Sequence, residues 1–443
     1  MTTEQQTVFS LYLQIVSAVL LQYLQKQAGM KVRRGIYCAR VVFWLMILQR
    51  LQRGATLTSA VQLLIQGAAG ELLQNCHRVR LGRISARTGA YCQARLKLPK
   101  LLFRQVTEEI IEQLRQILSR DAPGQRNVFL LDGSSVELEH CRELLGYYPP
   151  ARNQHGTSHW PVLRILVAHD ADTGLASCPC WGAMYGEAAV SEQALAEQAM
   201  AHLPEGATVL GDRNFGVFWM AYAAQQRNLG VVLRLTEVRA RKLVGILSQE
   251  GEYAVVWDAS RWDGGKKRCV SPGSTVAGRL IAARMGRGKS KEWLYLFTTL
   301  ELPAEEIVEL YGRRWNIETD LRSLKRTVRL HHVSAKSNDM LEKELLMAIA
   351  AYNFVRAVMC MAARRNGIDP RQLSFSGVLN VVNYGWHKLI SAPTKQAHDE
   401  QFFRLLDLAA QCTLPKRSKR RSYPRKTWPR RTGFPLRTGG KTK

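Results

Sequence analysis

Val128-Phe-Leu-Leu131-Asp132-Gly-Ser134 is an unbroken apolar run that closes on an acid. Continuous apolar residues without alternation predict a short strand buried on both faces, ending at Asp132. The texture of the chain changes just before it, at Ala122-Pro-Gly124. Beyond it, Val162–Ala168 and Leu175–Cys178 read as further strands, with Asp172-Thr-Gly174 as the turn between them. Ser191 can cap a helix over 192–203. Thr208-Val-Leu-Gly211 gives another short strand, ending at Asp212, and a helix over 215–227 and the strand Val231–Leu235 follow. Strands first in hairpins, then alternating with helices, predict a mixed α/β sheet.

Outward from this core the pattern differs. Residues 1–118 read as helices, with apolar residues at three and four spacings (Val41, Trp44, Leu45, Leu48, Leu51) and arginines between them (Arg33, Arg34, Arg40, Arg50, Arg53). This region is either a basic DNA-binding domain or a solvated helical face. Residues 125–237 form the first part of the core. Residues 238–292 hold short β-prone runs (Tyr253–Trp257, Leu280–Met285), turns such as Asp263-Gly-Gly265, and 12 Lys or Arg against 5 acids; they read as a β-rich insertion. Trp293–Thr299 returns to the core, whose second part spans 293–365 and includes a long helix starting near Pro303. The region 366–443 is a helical C-terminal part, with a helix near 400–411, and a basic tail. The last 28 residues carry 12 Lys or Arg and no acid, which predicts an extended segment.

The chain has 443 residues, 63 Lys and Arg against 36 acids, and a net charge of +27. Such an excess points to a polyanionic partner, nucleic acid before membrane. Residues 5–25 lack charge, but five glutamines interrupt them, so a packed amphipathic helix fits better than a membrane span. No secretory leader stands out. The nine cysteines include no CxxC, the nearest pair being Cys178-Pro-Cys180. A zinc ribbon is therefore not expected, and a reduced cytosolic protein is the simpler reading.

Two predicted strands thus end in acids, Asp132 and Asp212. Carboxylates brought together repel unless a cation lies between them, and oxygen donors suit magnesium or manganese. The sharper element is Tyr311-Gly-Arg-Arg314-Trp-Asn-Ile-Glu318-Thr-Asp-Leu-Arg-Ser-Leu-Lys325. On a regular helix Tyr311, Arg314, Glu318 and Lys325 fall within a stripe about 60° wide. Ile307, Leu310, Ile317, Leu321, Leu324 and Val328 make a neighbouring apolar stripe. The carboxylate can complete a metal shell while the cations and the phenol hold phosphate oxygens; an ordinary Arg314–Glu318 ion pair is the plain alternative. Asp320 lies about 160° from the stripe centre and should point away. Asp172 fits a turn, and Trp315 should matter more to folding than to catalysis. His331, His332, Arg287 and Lys289 are either nucleic-acid contacts or solvated loop residues.

The spacing Tyr311-x2-Arg314-x3-Glu318-x6-Lys325 resembles the Tyr-Arg-Glu-Lys signature of DDE transposases of the insertion-sequence-four family. Asp132-Gly-Ser-Ser and Asp212-Arg-Asn-Phe-Gly resemble that family's first and second acidic motifs, and the separations of 80 and 106 residues also match. The similarity runs from about Thr88–Arg95 to Leu345. The resemblance implies an RNase H-like core, a homodimer on paired transposon ends, cleavage by activated water and strand transfer by the freed 3′ hydroxyl. It also implies two Mg²⁺ ions (Mn²⁺ being possible) held by Asp132, Asp212 and Glu318, with Asp132 bridging them. Tyr311, Arg314, Lys325 and Arg213 would contact DNA. No membrane and no small-molecule cofactor are expected. A DNA-binding derivative without catalysis, an RNase H-like nuclease and an RNA-binding scaffold are the competing readings.

Overall fold

The computed structural model describes residues 8–30, 35–52, 56–118, 127–154, 156–247, 249–260, 263, 270–271, 273–285, 292–331, 333–390 and 394–415. Among them nine strands join in one mixed sheet. These are β1 (Val128–Glu137), β2 (Pro150–Asn153), β3 (Gly156–Asp170), β4 (Cys180–Ala183), β5 (Thr208–Gly211), β6 (Gly230–Leu235), β7 (Gly251–Asp258), β8 (Thr275–Met285) and β9 (Glu292–Thr298). Their order is β2-β3-β1-β5-β6-β9-β8-β7, with β4 on β3. β1 runs parallel to β5, and β5 to β6; the remaining pairings are antiparallel.

The apolar run Val128–Leu131 is indeed covered on both sides. Val128 and Leu130 pack with Leu210, Val232, Ile307, Tyr311, Ile317 and Leu321. Phe129 and Leu131 pack on the other side with Leu195, Ala196, Phe215 and Trp219. The strand does not end at Asp132, however. It continues to Glu137 because β3 is long enough to pair with all of it, Asp132 lying opposite Val167. What ends near Asp132 is the parallel pairing, whose last partners are Leu130 and Leu210.

A second expectation also gives way. Leu175–Cys178 makes only an isolated bridge at Ala176. The buried Asn353 takes the place of a strand partner: its Oδ1 accepts from the Ala176 N–H at 2.8 Å and its Nδ2 donates to the Ala176 carbonyl at 2.8 Å. The segment read as a β-rich insertion begins with a helix, Glu237–Val244, capped by Thr236. Its strands β7 and β8 add to the same sheet through β9. Asp263-Gly-Gly265 falls mostly outside the described residues, as do Arg287, Lys289, His332 and the tail 416–443.

The N-terminal region is helical, with Val8–Ile15, Ala18–Gln27, Ala39–Leu51, Leu57–Ile65 and Lys100–Leu118 as its longer members. The uncharged stretch that raised the question of a membrane is two short helices bent by 50°, and Val8, Phe9, Leu11, Tyr12 and Ile15 are buried. Helix Asn338–Arg365 is long and apolar enough to cross a membrane but is almost wholly buried in protein. It is the axle of the largest core, which gathers the N-terminal helices, the β1–β3 hairpin beyond Asp132, and helices Phe375–Ile390 and Lys395–Ala410. Buried ion pairs tie these parts together: Glu344 receives Arg50 at 2.8 Å and Arg95 at 3.2 Å. The described cysteines are free thiols.

Candidate active site

Strand alternation decides where the two aspartates point. Side chains two residues apart share a face, so Asp132 follows Val128 and Leu130, and Asp212 follows Leu210. All three of those apolar residues belong to the cluster that receives Ile307, Tyr311, Ile317 and Leu321. Both acids therefore project toward the signature segment.

Local structure fixes each of them. Asp132 Oδ1 accepts from the Gly133 N–H at 2.9 Å. Asp212 Oδ1 accepts from the Asn214 N–H at 2.8 Å, and the Asp212 carbonyl takes the N–H groups of Phe215 and Gly216. That compact turn needs its glycine. A Cβ at Gly216 would strike the carbonyl oxygen of Arg234 on the neighbouring strand, while Phe215 anchors the turn in the core at 1% exposure.

The carboxyl of Asp132 is pushed up from 3.8 to about 6. Burial is the main cause; the charges of Asp212 and Glu192 add to it, and the Gly133 N–H and Arg314 oppose it. Glu192 is a residue that the sequence did not single out. Its carboxylate stands where a Cβ of Gly133 would be and accepts from Asn214 Nδ2 at 2.5 Å. The next residue, Gln193, donates to the Asn214 carbonyl at 2.6 Å. The first turn of helix Glu192–Met200, capped as expected by Ser191, thus holds the Asp212 turn. An acid just after an N-cap looks like ordinary helix-dipole compensation, which is why nothing in the sequence marked it.

The signature segment is not one regular helix. Ala304–Gly312 and Asn316–Arg322 are α-helical, Arg313–Trp315 is a 3₁₀ turn, and Ser323–Thr327 is a π turn. These changes of winding break the expected single stripe. Tyr311 and Arg314 are buried and look toward the acids: the phenol is raised by burial and feels Arg314 and Asp212, and Arg314 acts on Asp132. Among the described residues, neither the Tyr311 hydroxyl nor Arg314 Nε has a hydrogen-bond partner. Trp315 is 60% exposed, with the Arg314 guanidinium 5.2 Å from its ring centroid. It belongs to none of the described core clusters.

Glu318 is exposed and stands on the wall of a cleft of about 1090 Å³. Arg322, Lys325, Arg326 and Arg329 share that wall; Arg50, Thr56 and Leu57 of the N-terminal helices and Ser135, Glu137 and Trp160 of the sheet complete it. Lys325 is half-buried, its pKa lowered by burial and partly restored by Glu137. His331 lines the same cleft, and its ring nitrogen meets the Lys325 carbonyl. Arg213 is exposed beside Asp212, its carbonyl accepting from Arg239 at 2.9 Å. Asp320, as expected, points away from Glu318; it is buried between Arg356 and Arg371.

Asp132 and Asp212 are neighbours with a net negative surrounding and oxygen donors only, which fits a hard divalent cation. Among the described residues no three of His, Cys, Asp and Glu stand close enough to enclose a metal ion. Asp132, Asp212 and Glu318 are therefore not gathered into one such group. Magnesium is commonly held by one or two carboxylates, with waters and substrate phosphates supplying the rest.

Residues 123–354 match the family model described as Transposase DDE domain. That span holds all three acids and the signature segment, and leaves Thr88–Arg95 outside. Transposase InsG for insertion sequence element IS4 of Escherichia coli (strain K12) is 26% identical over 239 residues, covering 52% of this chain and 51% of that protein. The chain thus spans about half the length of the curated relative it matches. With a family model covering more than half of its residues and both acidic motifs and the signature inside the match, the chain belongs to the DDE transposase family.

Proposed function

We propose that this protein cleaves DNA at the ends of an insertion sequence and joins the freed 3′ hydroxyl to target DNA, by way of an RNase H-like catalytic core. The observation that carries the reading is the placement of Asp132 and Asp212 side by side on one sheet face, beneath Tyr311 and Arg314. Asp132, Asp212 and Glu318 would hold Mg²⁺, or Mn²⁺, two ions per site. Bound ions would polarise the scissile phosphate and lower the pKa of an attacking water. The chain's own groups do the rest. Arg314 and the Tyr311 hydroxyl lie where a phosphate oxygen next to the acids could accept from them. Lys325 and the arginines of the cleft wall hold the flanking backbone, Arg213 contacts DNA at the rim, and Glu318 reaches the site from that wall. A homodimer on paired ends is part of the same reading.

The test is incubation of the full chain with DNA carrying candidate ends and Mg²⁺, followed by sequencing of the products. Asp132→Asn, Asp212→Asn and Glu318→Gln should each abolish cutting and joining while DNA binding persists, since binding draws on Lys and Arg. That Asp132, Asp212 and Glu318 are not gathered into one metal-holding group among the described residues favours a second reading, a DNA-binding derivative without catalysis. Tight binding with no cut or joined product in either Mg²⁺ or Mn²⁺ would establish that one instead.

A further inference from the structure

The changes of winding in the signature segment leave open what sets the rotation of Glu318 about the helix axis. Junctions between α, 3₁₀ and π turns are places where a helix can roll, and a small roll would swing an exposed carboxylate well away from the aspartates. Two polar links straddle Glu318, and both lead to one place, the turn Asp170–Gly174 at the end of β3.

On the near side, Arg313 pairs with Asp172. On the far side, Asp320 is fully buried; both its oxygens accept from Arg371 Nη1, at 2.8 and 2.7 Å, and Arg356 approaches Oδ1. Arg371 then donates to the Ala171 carbonyl at 2.9 Å and to the Asp170 carbonyl at 2.5 Å. Gly174, with φ +76°, lies so close that a Cβ there would come within 2.9 Å of both guanidiniums. The turn itself is locked by Asp170 Oδ1, which accepts from the Asp172 N–H at 3.0 Å and from the Thr173 N–H and hydroxyl at 2.6 and 2.7 Å. Asp170 is the register partner of Phe129 on β1, three residues before Asp132. The turn is therefore a fixed point in the frame that carries the first aspartate.

A buried carboxylate between two guanidiniums is a poor way to gain stability, because a well-packed apolar side chain often does as well. What ionic links supply is direction. We propose that Asp320 and Arg313 are positioning residues: they clamp the segment on either side of Glu318 to the Asp170–Gly174 turn and so fix where its carboxylate stands relative to Asp132 and Asp212. This rests on the reading of the three acids as a metal site.

The test uses the full chain and Mn²⁺ as the probe. Arg313→Ala and Asp172→Ala break the partly exposed link, the swap Arg313→Asp with Asp172→Arg restores it in reverse, and Asp320→Asn loosens the buried one. Mn²⁺ affinity is read by calorimetry, kcat and KM on end DNA separately, and folding by thermal melting. A misplacement of about 1 Å can lower rate on the order of a hundredfold. The expectation is a loss of kcat at least tenfold on that scale, weaker Mn²⁺ binding, and unchanged KM and melting for Arg313→Ala and Asp172→Ala. The swap should recover most of the loss, and Asp172→Ala should cost no further Mn²⁺ affinity in a Glu318→Ala background. Wild-type kcat and Mn²⁺ affinity in both single variants overturns the clamp even if Asp320→Asn fails to fold. Losses that track melting and resist the swap overturn it too. A wild-type chain that neither binds Mn²⁺ nor cuts would refute the metal-site reading itself.

Discussion

Asp132→Asn should make the metal-free protein more stable while abolishing its chemistry, and the gain should depend on pH. The carboxyl of Asp132 is pushed up from 3.8 to about 6, first by burial and then by Asp212 and Glu192. The folded carboxyl holds its proton more tightly than the unfolded one, so ionisation costs the fold. That cost is absent below about pH 4, grows between about 4 and 6, and is complete above 6. At about 1.4 kcal/mol for each pH unit, a rise from 3.8 to about 6 amounts to about 3 kcal/mol. Partial access to solvent makes that a ceiling, with about 1–2 kcal/mol the expected gain. The assay is urea unfolding of wild type and Asp132→Asn in chelator, near pH 4 and near pH 8. The variant should be the more stable near pH 8 and indistinguishable near pH 4. Mg²⁺ should then close the difference by stabilising the wild type alone, since only the native site binds it. Equal stability near pH 8, or an equal gain at both pH values, would refute the claim that the surroundings of Asp132 oppose its charge.

Three further outcomes follow from the same geometry. Gly216→Ala drives a Cβ into the Arg234 carbonyl, so it should cost about 1–3 kcal/mol in urea unfolding and reduce cleavage through the displaced Asp212 turn; a wild-type midpoint contradicts this. Lys325→Ala should retain metal binding but lose most of its cleavage rate, with Lys325→Arg less affected because the charge stays; single-turnover cleavage on pre-assembled DNA complexes decides it. Deleting 416–443 removes 12 cations and should weaken binding to end and random DNA alike while flattening the salt dependence; loss of end preference alone would make the tail a recognition element.

Most of the strands were legible because buried strands are written as apolar runs with turn residues between them; the short β2 and β4 were not. The end of β1 was not, since Gly133-Ser-Ser135 looks like a stop and pairs only because β3 extends alongside it. Leu175–Cys178 reads as a strand in composition, and Leu175 and Ser177 do bond to β3, but the Ala176 N–H and carbonyl go to Asn353, 177 residues away, and no local pattern can announce such a partner. The signature residues were visible as a motif, but their grouping was drawn on an ideal helix. The 3₁₀ turn at Arg313–Trp315 and the π turn at Ser323–Thr327 take the segment off that ideal, and its ion pairs to Asp172, Arg356 and Arg371 come from other parts of the chain. Glu192 was hidden for the same reason, its nearness to Gly133 being a product of helix docking.

The central helix Asn338–Arg365 has a consequence for the way the chain is made. Residues as early as Val8 and as late as Ala410 bury their apolar sides in the core around it. During synthesis the N-terminal helices emerge more than two hundred residues before the element they close upon. Until then they hold an uncovered hydrophobic surface, the condition under which nascent chains recruit chaperones or misassemble. Chains that stop short of that helix should accumulate as aggregates or be degraded rather than persist as an independent N-terminal domain.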